Sequence, residues 1–121
     1  MTLDEYNIFC ASLPHTTHVV QWGGADVWKV GGKLFAVAGW NKDGLDDFLA
    51  VTFKTSDIAY HVLKDEAGLR PAPYLASRGM KWIQHYAPPG MDDENLKVHI
   101  EASYKMAVER LTKKIRAELG L

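Results

Sequence analysis

The dipeptide Gly31-Gly32 lies between two apolar runs, Asp26 to Val30 and Lys33 to Gly39, that are rich in Val, Phe and Trp. Two β-prone runs joined by only two residues, both able to take positive φ, have one economical arrangement, a tight antiparallel hairpin. The same reading extends to both sides. His18 to Trp22 precedes a second glycine pair, Gly23-Gly24, and Asp47 to Phe53 follows a turn-rich segment. Four consecutive antiparallel strands are therefore expected over residues 18–53. Neither glycine pair is a phosphate-binding loop, because neither has a Gly-Lys-Ser/Thr ending or a Gly-x-Gly-x-x-Gly spacing that opens a helix.

Helical signals flank this block. Thr2-Leu3-Asp4-Glu5 reads as a capping box, and Leu3, Tyr6, Phe9, Cys10 and Leu13 then share one helical face until Pro14 ends it. Thr55 or Ser56 is placed to cap a second helix carrying Ile58, Ala59, Val62 and Leu63 and stopping near Gly68. Arg70 to Tyr74 holds Pro71 and Pro73 and is expected to be irregular. Lys81 to Tyr86 alternates as a strand, with Trp82, Gln84 and Tyr86 on one face and Ile83 and His85 on the other. A last helix from about Asp93 to Leu119 repeats Leu96, Ile100, Tyr104, Ala107, Val108, Leu111, Ile115 and Leu119 at helical spacing, with a kink expected near Ala102-Ser103. Glu101 with Lys105 and Glu109 with Lys113 form i,i+4 pairs on its outer side. The order helix, four strands, helix, strand, helix predicts a single α+β domain over residues 1–121. Its architecture is a two-layer sandwich in which helices pack on an antiparallel sheet of about five strands.

At 121 residues and 47% hydrophobic content, the chain can bury roughly two thirds of its unfolded surface without disulfides or a structural metal. Lys and Arg number 14 against 15 Asp and Glu, so a strongly basic nucleic-acid-binding domain is excluded. The charges are unevenly spread. Residues 1–53 carry three lysines (Lys29, Lys33, Lys42) against six acids, whereas residues 54–121 carry eleven basic against nine acidic groups. One cysteine, Cys10, forms no internal disulfide, and it reads as a small apolar residue of a buried helix face. The five histidines show no zinc-ligand spacing, so no metal or cofactor is expected. No signal-peptide pattern opens the chain, and its longest apolar run, Leu34 to Trp40, is too short to cross a bilayer; the expected compartment is the cytoplasm, with no membrane contact.

Catalytic arrangements are thin. His15 and His18 lie in a helix-to-strand connection without a nearby carboxylate or thiol. Asp46-Asp47 and Asp92-Asp93-Glu94 are explained by a turn and a helix start. Ser103 is mid-helix, away from any strand-to-helix elbow, and only a meeting of His85 and His99 near Ser103 would suggest chemistry. No catalytic residue is assigned, and the chain is expected not to be an enzyme. Among the aromatics, Trp28 and Trp82 have the phase of core residues. Trp40, at a loop entrance beside Asn41-Lys42-Asp43-Gly44, is the one expected to be exposed.

Several landmarks, in order, resemble the MmcQ/YjbR-like family: Leu13-Pro14, Trp22-Gly23, the hairpin Lys29-Val30-Gly31-Gly32-Lys33-Leu34-Phe35, Arg70-Pro71-Ala72-Pro73-Tyr74, Lys81-Trp82-Ile83 and Ser103-Tyr104. The resemblance spans nearly the whole chain. It implies a compact fold similar to secretion-chaperone-like and frataxin-like domains. It also implies DNA binding, because the hairpins of this family resemble a double-wing arrangement. If they act as wings, Lys29, Lys33, Arg78 and Lys81 are the nucleic-acid-binding residues, joined by Lys54 and Arg70 if the fold brings these segments together. The alternative is a protein-interaction or small-ligand-binding module that uses the sheet edge, the Pro71 to Tyr74 loop and Trp40.

Overall fold

The computed structural model describes residues 1–41, 47–75 and 79–121. Its described elements are α1 (Leu3–Ser12), β1 (Thr16–Gln21), β2 (Ala25–Val30), β3 (Lys33–Ala38), β4 (Val51–Lys54), α2 (Asp57–Leu63), β5 (Leu69–Pro71), β6 (Trp82–His85), α3 (Asp93–Glu109) and α4 (Lys113–Leu119). The strands form one antiparallel sheet in the order β1-β2-β3-β4-β6-β5.

The α+β sandwich is as expected, and the hairpin is formed as its glycines require. Gly31 and Gly32 have φ of 54° and 81°, the double positive φ of a type I′ link. At the start of α1, Glu5 N–H donates to Thr2 Oγ1 at 3.1 Å and Thr2 N–H donates to Glu5 Oε1 at 2.8 Å, closing the capping box.

Five expectations are corrected. Leu69–Pro71 is a sixth strand rather than irregular chain, for its place at the sheet edge tolerates the missing N–H of Pro71. β4 starts at Val51 instead of Asp47. α2 turns Ala59, Tyr60 and Leu63 to the core and leaves Ile58 and Val62 exposed. The last helix does not kink at Ala102-Ser103; α3 runs unbroken to Glu109 and a new helix starts where the Thr112 side chain accepts from Ile115 N–H. That break separates Glu109 from Lys113, and their expected i,i+4 pair is not formed, whereas Lys105 and Glu101 stand 3.7 Å apart.

One sheet face carries the main core. Trp28, Val30, Phe35, Val51, Phe53 and Ile83 pack there against Leu96, Ile100 and Tyr104 of α3 and Tyr6 and Cys10 of α1. α1 is pinned by Tyr6 Oη to Asp26 O (3.1 Å) and Trp28 Nε1 to Asn7 Oδ1 (2.9 Å). Cys10 is buried as expected, and burial pushes its thiol up to about 12. The opposite face is a row across all six strands: Val19, Val27, Val37, Thr52, Gln84 and Arg70. Val27, Val37, Thr52 and Gln84 are fully buried although none of the described helices packs on that face.

Candidate functional sites at the basic end and the aromatic face

The register fixes which residues share an end of the sheet. β3 starts at Lys33, its neighbour β4 ends at Lys54, and Lys54 pairs with Trp82, which directly follows Lys81. Lys33, Lys54 and Lys81 therefore lie at one end. The C-terminal helices add to it. A Cβ on Gly31 would come within 2.7 Å of Leu111 Cδ2 and 3.2 Å of Ile115 Cγ2, so the hairpin tip is seated on α4. α4 and its approach carry Arg110, Lys113, Lys114 and Arg116, the first three exposed.

The opposite end is acidic. The Met1 ammonium pairs with Asp93 at 3.0 Å, beside Glu94 and near the C-terminal end of β6, while Asp65 and Glu66 precede β5. A near-zero net charge thus conceals a molecule with a cationic end and an anionic end. Among the described residues, Lys33, Lys54, Lys81, Arg110, Lys113, Lys114 and Arg116 make no ion pair. Burial, with the adjacent Arg110 guanidinium, pulls the Lys54 ammonium below its ordinary value.

Of the four residues expected to meet nucleic acid, the three that are described separate. Lys33 and Lys81 share the basic end, where Lys81 Nζ lies 4.9 Å from the Tyr60 ring centroid. Lys29 is on the helix-free face, its Nζ 6.0 Å from the Trp22 ring centroid. Arg78 lies outside the described residues, as do Lys42 and Asp43. Lys54 joins the basic end, but Arg70 does not; its Nε donates to Gln84 Oε1 at 2.8 Å on the helix-free face. Sequence reasoning missed Arg110, Lys113, Lys114 and Arg116. Four cations within seven residues were the available signal, obscured by reading one continuous helix whose charges were spread around its outer side.

On the helix-free face, Trp22, Trp40, Tyr74 and Leu75 line a cavity of about 530 Å³. The Trp22 and Trp40 rings are 5.5 Å apart and tilted by 31°, and Tyr74 meets Trp40 edge-on at 5.6 Å. The expectation for Trp40 is corrected: it is half-buried against Ala25, Val27 and Val37, and Trp22, at 50%, is the exposed tryptophan. Both Trp28 and Trp82 are buried, but only Trp28 lies in the main core; Trp82 has the strand phase of Gln84 and stands outside that core, which corrects its expected place. Trp22, Trp40 and Tyr74 all have left-handed backbone, with φ of 53°, 65° and 69°. Such a conformation costs a non-glycine residue about 1–2 kcal/mol. Gln84 Nε2 fixes the Trp40 segment by donating to the carbonyls of Gly39 and Trp40, each at 3.2 Å.

Ser103 is a structural link. Its hydroxyl donates to Phe35 O at 2.7 Å and accepts Lys54 N–H at 2.9 Å, joining α3 to β3 and β4. His99 stacks on Phe53, and His85 stands at the acidic end beside Phe48, so the three do not form a reacting group. Among the described residues, no group of three or more His, Cys, Asp or Glu is placed to hold a metal ion, and no helix is long and apolar enough to cross a membrane.

The sheet order, the seated hairpin and the helices define a class of small α+β domains, and the match of the YjbR family over residues 11–106 shows which one. This chain belongs to the YjbR family. Its fold is similar to that of protein DR2400 of Deinococcus radiodurans, described by domain DUF419, with a TM-score of 0.82 and 23% identity over 99% of this chain and 88% of that one. A protein from Pseudomonas syringae is similar with a TM-score of 0.69 and 15% identity, covering 88% of this chain and 99% of that one. No curated protein matches the chain.

Proposed function

We propose that this chain is a non-enzymatic domain that binds DNA through the phosphate backbone, using the basic end of the sheet. The observation that supports this reading is the convergence of Lys33, Lys54 and Lys81 with Arg110 and the cations of α4, without carboxylate partners among the described residues. The contact surface differs from two free wings. The β2–β3 tip rests on α4, so tip and helix present one rigid surface, and Lys33 reaches phosphates from the tip while Lys113 and Lys114 do so from the helix. Lys29 is not part of it. Phosphate contacts position a protein on the duplex without reading sequence, so the binding proposed is weakly selective.

Fluorescence anisotropy with a labelled duplex tests the reading. Each phosphate neutralised releases condensed counterion, so binding falls steeply between about 50 and 200 mM salt. A Lys54→Gln, Lys113→Gln, Lys114→Gln variant is expected to lose binding and flatten the salt dependence. A Lys29→Gln variant is expected to bind as the native protein does. Binding unaltered in the triple variant, or no binding at low salt, would refute the proposal.

A further inference from the structure

We infer that the aromatic cavity on the helix-free face is a binding site for a small planar aromatic anion, of which a mononucleotide is the simplest example, and that this site is separate from the basic end. The cavity volume of about 530 Å³ is in the range that encloses such a molecule. Its walls are chosen for flat rings. Trp22, Trp40 and Tyr74 present aromatic surface at tilts of 31° and 75° to one another, so a planar ligand stacks on one ring while a second meets its edge.

The backbone of these three residues is the observation that sets the cavity apart from an ordinary apolar depression. Among the described residues, four non-glycine positions have positive φ, and three of them are the aromatic residues of this cavity. Strained backbone persists where surrounding structure over-determines it, and it gathers at ligand clamps. The surrounding structure is visible here. Fully buried Gln84 holds the Gly39 and Trp40 carbonyls from beneath and is itself held by Arg70. Trp22 gains nothing from its position as a core residue would, since half of its surface stays exposed.

The charge of the ligand follows from Lys29. Its ammonium is on this face, 6.0 Å from the Trp22 ring centroid, and makes no ion pair among the described residues. A stacked ring that carries phosphate or carboxylate therefore meets a cation at the rim, whereas a quaternary ammonium would be repelled.

Titration of the intact protein with AMP and with riboflavin 5′-phosphate, each beside its uncharged nucleoside or riboflavin counterpart, tests the inference by calorimetry. At least one anion is expected to bind with one-to-one stoichiometry below about 1 mM. Trp22→Gly should weaken that anion about tenfold or more, the worth of one stacking partner, while leaving the thermal midpoint equal or higher because glycine relieves the positive φ. Lys29→Gln should weaken the anion about threefold and leave its neutral counterpart unchanged. The Lys54, Lys113, Lys114 triple variant should bind as the native protein does, which separates this site from the basic end. Failure of both anions to bind, equal affinity for charged and neutral forms, or indifference to Trp22→Gly in a folded protein would each overturn it.

Discussion

The Lys54 ammonium is partly buried at the end of the sheet where it also feels the Arg110 charge, and neither cation has a carboxylate partner among the described residues. A fold that needed only stability would separate these cations or pair them. Their like-charge contact costs a little stability.

Arg110→Gln should therefore stabilise the protein by a few tenths of a kcal/mol, the discounted value of one exposed like-charge contact. Added sulfate should raise the melting temperature of the native protein more than that of the variant. Differential scanning fluorimetry with and without sulfate measures both effects. A variant less stable than the native protein would mean that Arg110 has a favourable partner.

Ser103→Ala should be costly for so small a change. It removes the donor to Phe35 O and the acceptor for Lys54 N–H, leaving two backbone groups without partners where α3 meets the sheet. Each unsatisfied buried group costs about 1–3 kcal/mol, and urea denaturation should show a loss in that range or somewhat above it. A loss below about 0.5 kcal/mol would show that water replaces the hydroxyl.

The two hairpin glycines should respond unequally to alanine. Both have positive φ, so each substitution bears the left-handed penalty of about 1 kcal/mol. Gly31→Ala adds a methyl 2.7 Å from Leu111 Cδ2, whereas nothing lies within 4 Å of the methyl of Gly32→Ala. Gly31→Ala should also loosen α4 and weaken DNA binding, and Gly32→Ala should leave it near native. Comparing melting temperature and DNA affinity for the pair measures how firmly the tip is seated.

Acid should destabilise the fold through two histidines. Burial, reinforced by the N-terminal ammonium and opposed by Asp93 and the nearby Met91 backbone, holds His85 below the ordinary imidazole value of 6.5; burial, opposed by Glu66, does the same for His99. With the folded value depressed, the unfolded chain binds protons first. The contribution is thus present above 6.5 and is lost as pH falls through the folded values. His99→Phe keeps an aromatic ring against Phe53 and removes one titrating group, so its stability should fall less steeply below 6.5 in denaturation measured across that range.

Much of this fold was legible because local chemistry and tertiary packing agree. The Thr2–Glu5 box, the Gly31-Gly32 link and the alternation of Trp82 to Tyr86 each act within a few residues, and each is formed. What was not legible depends on partners distant in sequence. Pro71 looks like a strand breaker until β6 supplies an edge for Leu69 and Arg70 to pair with. Thr112 looks like one more turn of helix until its side chain is seen capping Ile115. Ile58 and Val62 match a helical apolar stripe, yet the core takes Ala59 and Leu63. The basic end was half legible: Lys33 and Lys81 were identified from the strands, but joining them to Arg110 and α4 requires the antiparallel register and the contact of Gly31 with Leu111. The aromatic face was marked only by its loop residues, since nothing local in Trp22, Trp40 or Tyr74 announces a shared cavity.

The most direct test of the central claim is a titration of isotopically labelled protein with a short DNA duplex at low salt, followed by backbone amide shifts. The account predicts that shifts concentrate at Lys33, Lys54, Lys81 and residues 110–116, and fade as salt is raised. Shifts confined to the acidic end or to the aromatic face, or no shifts at all, would contradict it.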